Sequence, residues 1–237
     1  MAGCGDDLIY LPWEMGMKKG LKVFGVMALL VVVAGSWWNY QYPSGSWRYK
    51  ITVEVETPEG IKTGSAIREV IYQSTPHILP EAHRSRVQVK GEAVVIELGE
   101  GKYLFALMDT NGPYRIVSEL FPYNWETQRD YIAYYKSLTG EKKTLDQKLY
   151  PTFVTFKDIN DQMSVTPVDR HDLSQAFGTG VKLKNITVEM TDEPVTWQID
   201  ELLPWLQSLK SNLDGSYVTT GSSLANTLHV GYFKRGQ

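Results

Sequence analysis

Residues 21–42, LKVFGVMALLVVVAGSWWNYQY, restrict this chain more than any other stretch. From Leu21 to Trp38 they hold 18 residues and one charge, Lys22, at the edge. A helix rises about 1.5 Å per residue and a hydrocarbon core is about 30 Å thick, so the run lies near the lower limit for a span. In lipid the backbone must satisfy its own hydrogen bonds, which predicts a helix despite the β-branched Val31, Val32 and Val33. Trp37, Trp38, Tyr40 and Tyr42 come immediately after, as one half of an aromatic belt would. Lys18, Lys19 and Lys22 crowd the near side, whereas Arg48 and Lys50 lie further off on the other. The positive-inside bias therefore orients the N-terminus inward and the remainder outward.

A cleaved signal peptide is the competing reading. From Met17 onward there is a basic stretch, an apolar stretch and small residues at Ala34 and Ser36. Asp6, Asp7 and Glu14 suit such a leader poorly and favour an anchor. A buried helix of a soluble protein is a third alternative. Anchor and leader both export the rest of the chain.

The exported part is large enough for one domain with its own core. The mean hydropathy of −0.26 excludes a polytopic membrane protein and fits one span joined to a water-soluble body. Lys and Arg number 24 against 27 Asp and Glu, without a basic run, so nucleic-acid binding has no electrostatic support. Cys4 is the only cysteine and precedes the span. The exported part is thus denied a disulfide, a cysteine metal site and a cysteine nucleophile. No apolar run precedes Cys4, so a lipoprotein cysteine is not expected there, and palmitoylation or no role is left for it.

The expected organisation is a cytoplasmic tail at 1–20 with an interfacial patch at 8–13, a transmembrane helix with aromatic collar at 21–42, a linker at 43–46, and an exported domain at 47–237. Residues 47–57 alternate, with Tyr49, Ile51, Val53 and Val55 on one face and Lys50, Thr52, Glu54 and Glu56 on the other, which is the period of a half-buried strand. Pro58-Glu59-Gly60 turns the chain into a second strand at 61–73, where Gly64-Ser65 predicts a bulge. Residues 74–85 read as a loop, 86–90 and 92–98 as strands, and Gly99-Glu100-Gly101 as a hairpin turn into 102–108. Asn124 is placed to cap a helix at 125–139 that stops at Gly140. Residues 141–147 read as charged and exposed. Further expectations are a strand at 153–156, a helical turn from Asp169 to Phe177-Gly178, a strand at 181–190, a short helix at 204–209, and a final hairpin of 216–220 with 227–233.

Four blocks carry a resemblance: ITVEVETPEG with GSAIREV, GEAVVIELGEGKYLFALM, FVTFKDINDQMSV and VKLKNITVEMTDEPVTWQID. Over roughly residues 47–205 the chain resembles an uncharacterised family of small proteobacterial proteins with one N-terminal membrane segment. The resemblance implies a bacterial inner-membrane protein and carries no activity with it. Combined with the charge bias, the expected location is the bacterial inner membrane, single-pass, with the C-terminal domain in the periplasm.

Signatures of chemistry fail one after another. There is no G-x-S-x-G; Gly221-Ser222-Ser223 suits a turn. His77, His83, His171 and His229 form no metal-ligand spacing. Asp158-Ile159-Asn160-Asp161 resembles the start of a calcium loop but has Met163 where glycine is required, so an Asx turn accounts for it. Asp169-Arg170-His171-Asp172 could hold an anion or metal, and reads better as a capping box built from Asp. Gly178-Thr179-Gly180 before Lys182 puts helix before strand, the reverse of a phosphate loop. Trp125, Tyr131, Tyr134 and Tyr135 give an aromatic-rich helix, by default core, otherwise a carbohydrate or peptide platform.

The fold class expected is therefore α+β: one N-terminal transmembrane helix, then a mainly antiparallel β domain with a few short helices. No catalytic residue, cofactor or metal is assigned. The expected function is a membrane-anchored binding or assembly module of the cell envelope, its partners the membrane and another envelope protein. The alternative is an envelope hydrolase or carbohydrate-active enzyme with dispersed acidic residues.

Overall fold

A computed structural model describes residues 14–76, 85–108, 114–124, 130–221 and 223–236, with side chains from Val23 on. The chain divides into two compact units, Met1–Pro43 and Ser44–Gln237.

The first unit is the helix α1, Glu14–Gln41. Its segment Val23–Gln41 is 19 residues long, apolar enough to cross a membrane, and none of it is buried. A helix apolar on every side seeks lipid or a large core. At its end Tyr42 N–H donates to Trp38 O (2.9 Å), and the Trp38 and Tyr42 rings meet at 4.8 Å.

The second unit runs in chain order through strands β1 (Ser44–Thr57), β2 (Gly60–Ser74), β3 (Ser85–Glu92), β4 (Val94–Gly99) and β5 (Lys102–Ala106). Next come helices α2 (Arg115–Leu120) and α3 (Tyr131–Ser137), then strands β6 (Lys142–Thr144), β7 (Phe153–Phe156) and β8 (Val165–Val168). The helical turn α4 (Ser174–Phe177), strand β9 (Lys182–Thr191), turns α5 (Ile199–Leu202) and α6 (Leu224–Thr227) and strand β10 (Lys234–Arg235) complete it. This is the α+β class expected, with antiparallel pairing throughout.

Two sheets form. The larger has the order β10-β3-β2-β1-β9-β6, the smaller β4-β5-β7-β8. The alternation read in β1 is the reason they pack. Tyr49, Ile51, Val53 and Val55 are at most 1% exposed. With Ile186, Val188 and Met190 of β9 they meet Val94, Ile96, Leu104 and Ala106 of the smaller sheet. That sheet is apolar on its other face too, where Phe105, Val154, Phe156 and Val165 lie against Ile199, Leu203, Leu206, Leu228 and Phe233. Each fully buried side chain of this kind contributes about 1.5–3 kcal/mol, so three layers with two cores hold together without a disulfide.

β3 changes sheets. Gly91 has φ +134°, and a Cβ there would lie 2.9 Å from Arg68 Cγ, so only glycine lets the chain leave β3 over the Arg68 side chain. β10 covers β3 only at Gly91 and Glu92. Residues 85–90 of β3 pair with β2 on one side. Among the described residues no strand pairs with their other edge.

Several expectations are corrected. Gly64 is no bulge: β1 and β2 stay in register from Ser44↔Gln73 to Thr57↔Gly60. The irregularity lies instead between β1 and β9, at Glu54/Val55. Gly64 is small because β4 crosses over it, where a Cβ would lie 2.1 Å from Val95 O. β1 begins at Ser44, inside the stretch read as a linker. α3 starts at Tyr131, not after Asn124, because Asp130 caps it by accepting from Ile132 and Ala133 N–H (3.0 and 2.9 Å). Residues 125–129 of that predicted helix lie outside the described residues, as do 1–13. α2 has no counterpart among the expected elements. The final hairpin is replaced by α6 and a loop gathered around Asn226, which is 4% exposed. Its Oδ1 accepts from Thr220 and Gly221 N–H, and its Nδ2 donates to Asp214 and Ser216. These bonds outcompete a strand ladder for the backbone of 216–221 and leave Tyr217 82% exposed.

Candidate functional site

The aromatic helix α3 is one wall of a cleft. Tyr131 and Tyr135 are one turn apart and share a helix face. Tyr135 stacks on Trp47 of β1 (4.5 Å, 13° between planes), and Gly45 leaves the space that Ile132 fills, with a would-be Cβ only 2.7 Å from its methyl. Around Tyr131 stand Tyr72 of β2 (4.9 Å), Tyr123 (4.9 Å), Tyr135 (5.0 Å) and Trp47 (5.4 Å), all tilted or edge-on. Offset and edge-on pairs at such separations add about 0.5–1.5 kcal/mol each beyond burial. The cluster is therefore a rigid wall.

The cleft in front of it has a volume of about 360 Å³. Tyr72, Tyr114, Tyr123, Tyr131 and Tyr135 line it with Ser85, Val87, Ser118 and Pro122. Not one of these residues is charged at neutral pH. The Tyr135 hydroxyl donates to Phe121 O (3.1 Å) and is also hydrogen-bonded to Tyr131. Burial, then the neighbouring Tyr131, pushes the Tyr135 hydroxyl far above the usual phenol range. Burial raises Tyr131 and Tyr123 as well. These phenols stay protonated at any physiological pH and present neutral polar points along an apolar wall.

The sequence-predicted polar sites are held in local structure. Asp158 Oδ1 accepts from Asn160 N–H (2.9 Å) and Asp161 Oδ1 from Met163 N–H (2.8 Å), the Asx turns expected. Gly178 ends α4 with φ +103°. Asp169 does not cap that helix: it accepts from His171 N–H (2.9 Å) in a separate turn, and α4 starts only at Ser174. Asp172 accepts from Ser174 and Gln175, side-chain hydrogen bonds that hold its carboxyl below the usual range. Asp169 and Asp172 do share a hollow of about 520 Å³ with Lys102 and Lys157. A carboxylate held low is the opposite of a general acid, which needs a raised one. His229 Nδ1 accepts from Gly231 N–H (3.0 Å), while His77, His83 and Ser222 lie outside the described residues. Among the described residues no three His, Cys, Asp or Glu gather as metal ligands would.

Two features escape sequence reasoning. One is the cleft itself, although five of the chain's 14 tyrosines fall between positions 114 and 135. The other is a buried ionic junction. Arg68 takes an inward position on β2, 1% exposed, and donates from Nε to Glu92 O (2.9 Å). Glu92, 3% exposed, accepts through Oε2 from Ile199 N–H (2.8 Å), and Lys234 pairs with Asp200 beside the Trp197 ring. The alternation Gly64, Ala66, Arg68, Val70 is its signal, because it puts the arginine on the apolar face. The junction fastens β2, β3, β10 and α5 together.

Comparison with protein families, with curated proteins and with solved structures found no match to this chain.

Proposed function

We propose that this chain is a membrane-anchored binding or assembly module of the bacterial cell envelope, and that its partner is held at the tyrosine cleft. The observation that carries the reading is the cleft: concave, aromatic, uncharged and built on rigid elements. Ligand sites are typically of this kind, with a few polar groups set in an apolar wall. In this reading α1 spans the inner membrane with its lysines inside, and the domain stands in the periplasm. An anchor adds to affinity by confining the module near envelope partners, which raises their effective concentration. The enzymatic alternative has its best support in the Asp169–Asp172 hollow, which gathers two carboxylates with Lys102 and Lys157.

The test is site-specific photo-crosslinking of the full chain in its native membrane. A photoreactive side chain at Tyr123 captures one discrete partner, and one at Thr63, on the exposed part of β2, does not. Equal capture from both positions, or none from Tyr123, overturns the reading. A reporter active only in the cytoplasm, fused after Gln237, stays silent; activity there overturns the orientation.

A further inference from the structure

We infer that the partner binds as an extended peptide strand added to the open edge of β3 at residues 85–90, its apolar side chains entering the tyrosine cleft and its acidic ones facing Arg86 and Lys90. This rests on the cleft being the binding site and names the class of ligand.

The edge and the cleft are one surface. Ser85 and Val87 of β3 line the cleft, so the strand that walls it also carries the edge that no strand pairs among the described residues. β10 stops at Arg235, having paired only with Glu92 and Gly91. An added strand would lie end to end with β10 and continue the six-stranded sheet by the length of 85–90. About six residues at 3.4 Å each is the usual length of a strand. An edge of this length left open is a template for another chain, and strand addition is a recurrent mode of peptide capture in which backbone bonds give affinity and side-chain pockets give specificity.

The side chains give the ligand its pattern. Successive residues of a strand point to opposite faces. On β3, Ser85 and Val87 face the cleft, whereas Arg86, Gln88 and Lys90 take the alternate positions. Cross-strand neighbours prefer opposite charge. The added strand therefore carries Asp or Glu opposite Arg86 and Lys90, and apolar or aromatic residues in between. Two other ligand classes fit worse. A quaternary ammonium needs ring faces held apart, since the cation itself lies up to about 6 Å from each centroid. Here the rings touch one another, at 4.9 to 5.4 Å. A glycan needs planar polar side chains for its hydroxyls, and among the described residues the cleft is lined by none.

The experiment titrates the full chain in detergent with a seven-residue peptide alternating Glu and Val. Three control ligands accompany it: the same peptide with Lys for Glu, the same peptide N-methylated on alternate residues so that it cannot complete a ladder, and chitotetraose. The expected result is saturable binding of the Glu peptide, at least tenfold weaker binding of the Lys and N-methylated peptides, and tenfold weakening by Ser118→Trp. Ser118 lies on α2 at the cleft, so tryptophan fills the cleft from outside the core; an unchanged melting curve shows that the variant is folded. Equal binding of the N-methylated peptide, binding of chitotetraose alone, or no binding by any peptide overturns the inference. In each of these cases partner capture from Tyr123 decides separately whether the cleft is a binding site: capture leaves the binding reading standing, and its loss removes both.

Discussion

Gly64→Ala tests the packing of the two sheets at its tightest point. A Cβ on residue 64 would lie 2.1 Å from Val95 O, 2.8 Å from Ile96 Cγ1 and 2.9 Å from Val95 C, where ordinary contact begins at 3.4 Å. The neighbours are strand backbone and a fully buried side chain, not a flexible tip, so β2 and β4 must part by about 1.3 Å. Overpacking a close-packed core costs about 1–3 kcal/mol, and a clash against backbone belongs at the upper end. Alanine in the unfolded chain offsets about 0.4–1 kcal/mol of this by reducing its freedom. The net loss is about 2 kcal/mol, or about 4–8 °C in melting temperature for a domain of this size. Thermal melting of the full chain in detergent reads it directly. The exposed neighbour Ser65 supplies the control, because Ser65→Ala changes stability by less than about 0.5 kcal/mol. A Gly64→Ala protein that melts with the parent would refute the close crossing of β2 and β4, and with it the explanation of why this strand carries a glycine.

Asn226→Ala removes a buried group that serves two N–H donors and two acceptors, so about 2–4 kcal/mol is lost and the 216–221 loop becomes a protease site; resistance equal to the parent's would contradict the hub. Acid weakens the fold through Asp214 and Asp172, whose carboxyls are held low, the former chiefly by the Ser216 hydroxyl and the latter by that of Ser174. A depressed folded value gives stability that is present above the unfolded value of about 3.9 and lost as pH falls through the folded one. Urea midpoints should therefore hold down to about pH 5 and fall below about pH 4, with a shallower fall in Asp214→Asn. Alkali acts in the opposite direction through Tyr135 and Tyr131, whose hydroxyls are raised by burial: stability is full below the unfolded value of about 10 and is lost as pH rises beyond it. Tyr135→Phe reduces that loss, and phenolate absorbance that rises well before unfolding would show these phenols to be accessible.

The range of each interaction decides whether the sequence discloses it. The membrane-length apolar helix, the alternation of β1 and β9, the Gly99–Gly101 turn and the helix-stopping Gly178 are local, set by residues within a few positions of one another. Gly64 is misleading because its reason is β4, about 30 residues away, and a bulge is the only local explanation a strand glycine offers. The sequence reading caps α3 at Asn124, but Asp130 holds that place, and both residue types suit an N-cap. The final hairpin fails because one buried asparagine supplies bonds that a strand would otherwise make. The cleft is hidden because its lining comes from β2, β3, α2, α3 and the segment before α3, brought together from positions 72 to 135.

The place of β1 in the larger sheet also sets a timetable for the newly made chain. β1 is central, and its two neighbours become available at very different moments. β2 comes after a two-residue turn, whereas Arg48 finds its other partner in Thr191, about 140 residues later. At the usual 5–20 residues per second, β1 waits roughly 10–30 s with a finished hairpin on one side and nothing on the other. β4 and β5, which cover the row Tyr49, Ile51, Val53 and Val55, are made within that interval, so the row gains its lid before β1 gains its second neighbour. Non-local pairing of this kind folds slowly, and truncation anywhere before β9 would leave one edge of β1 without its partner strand.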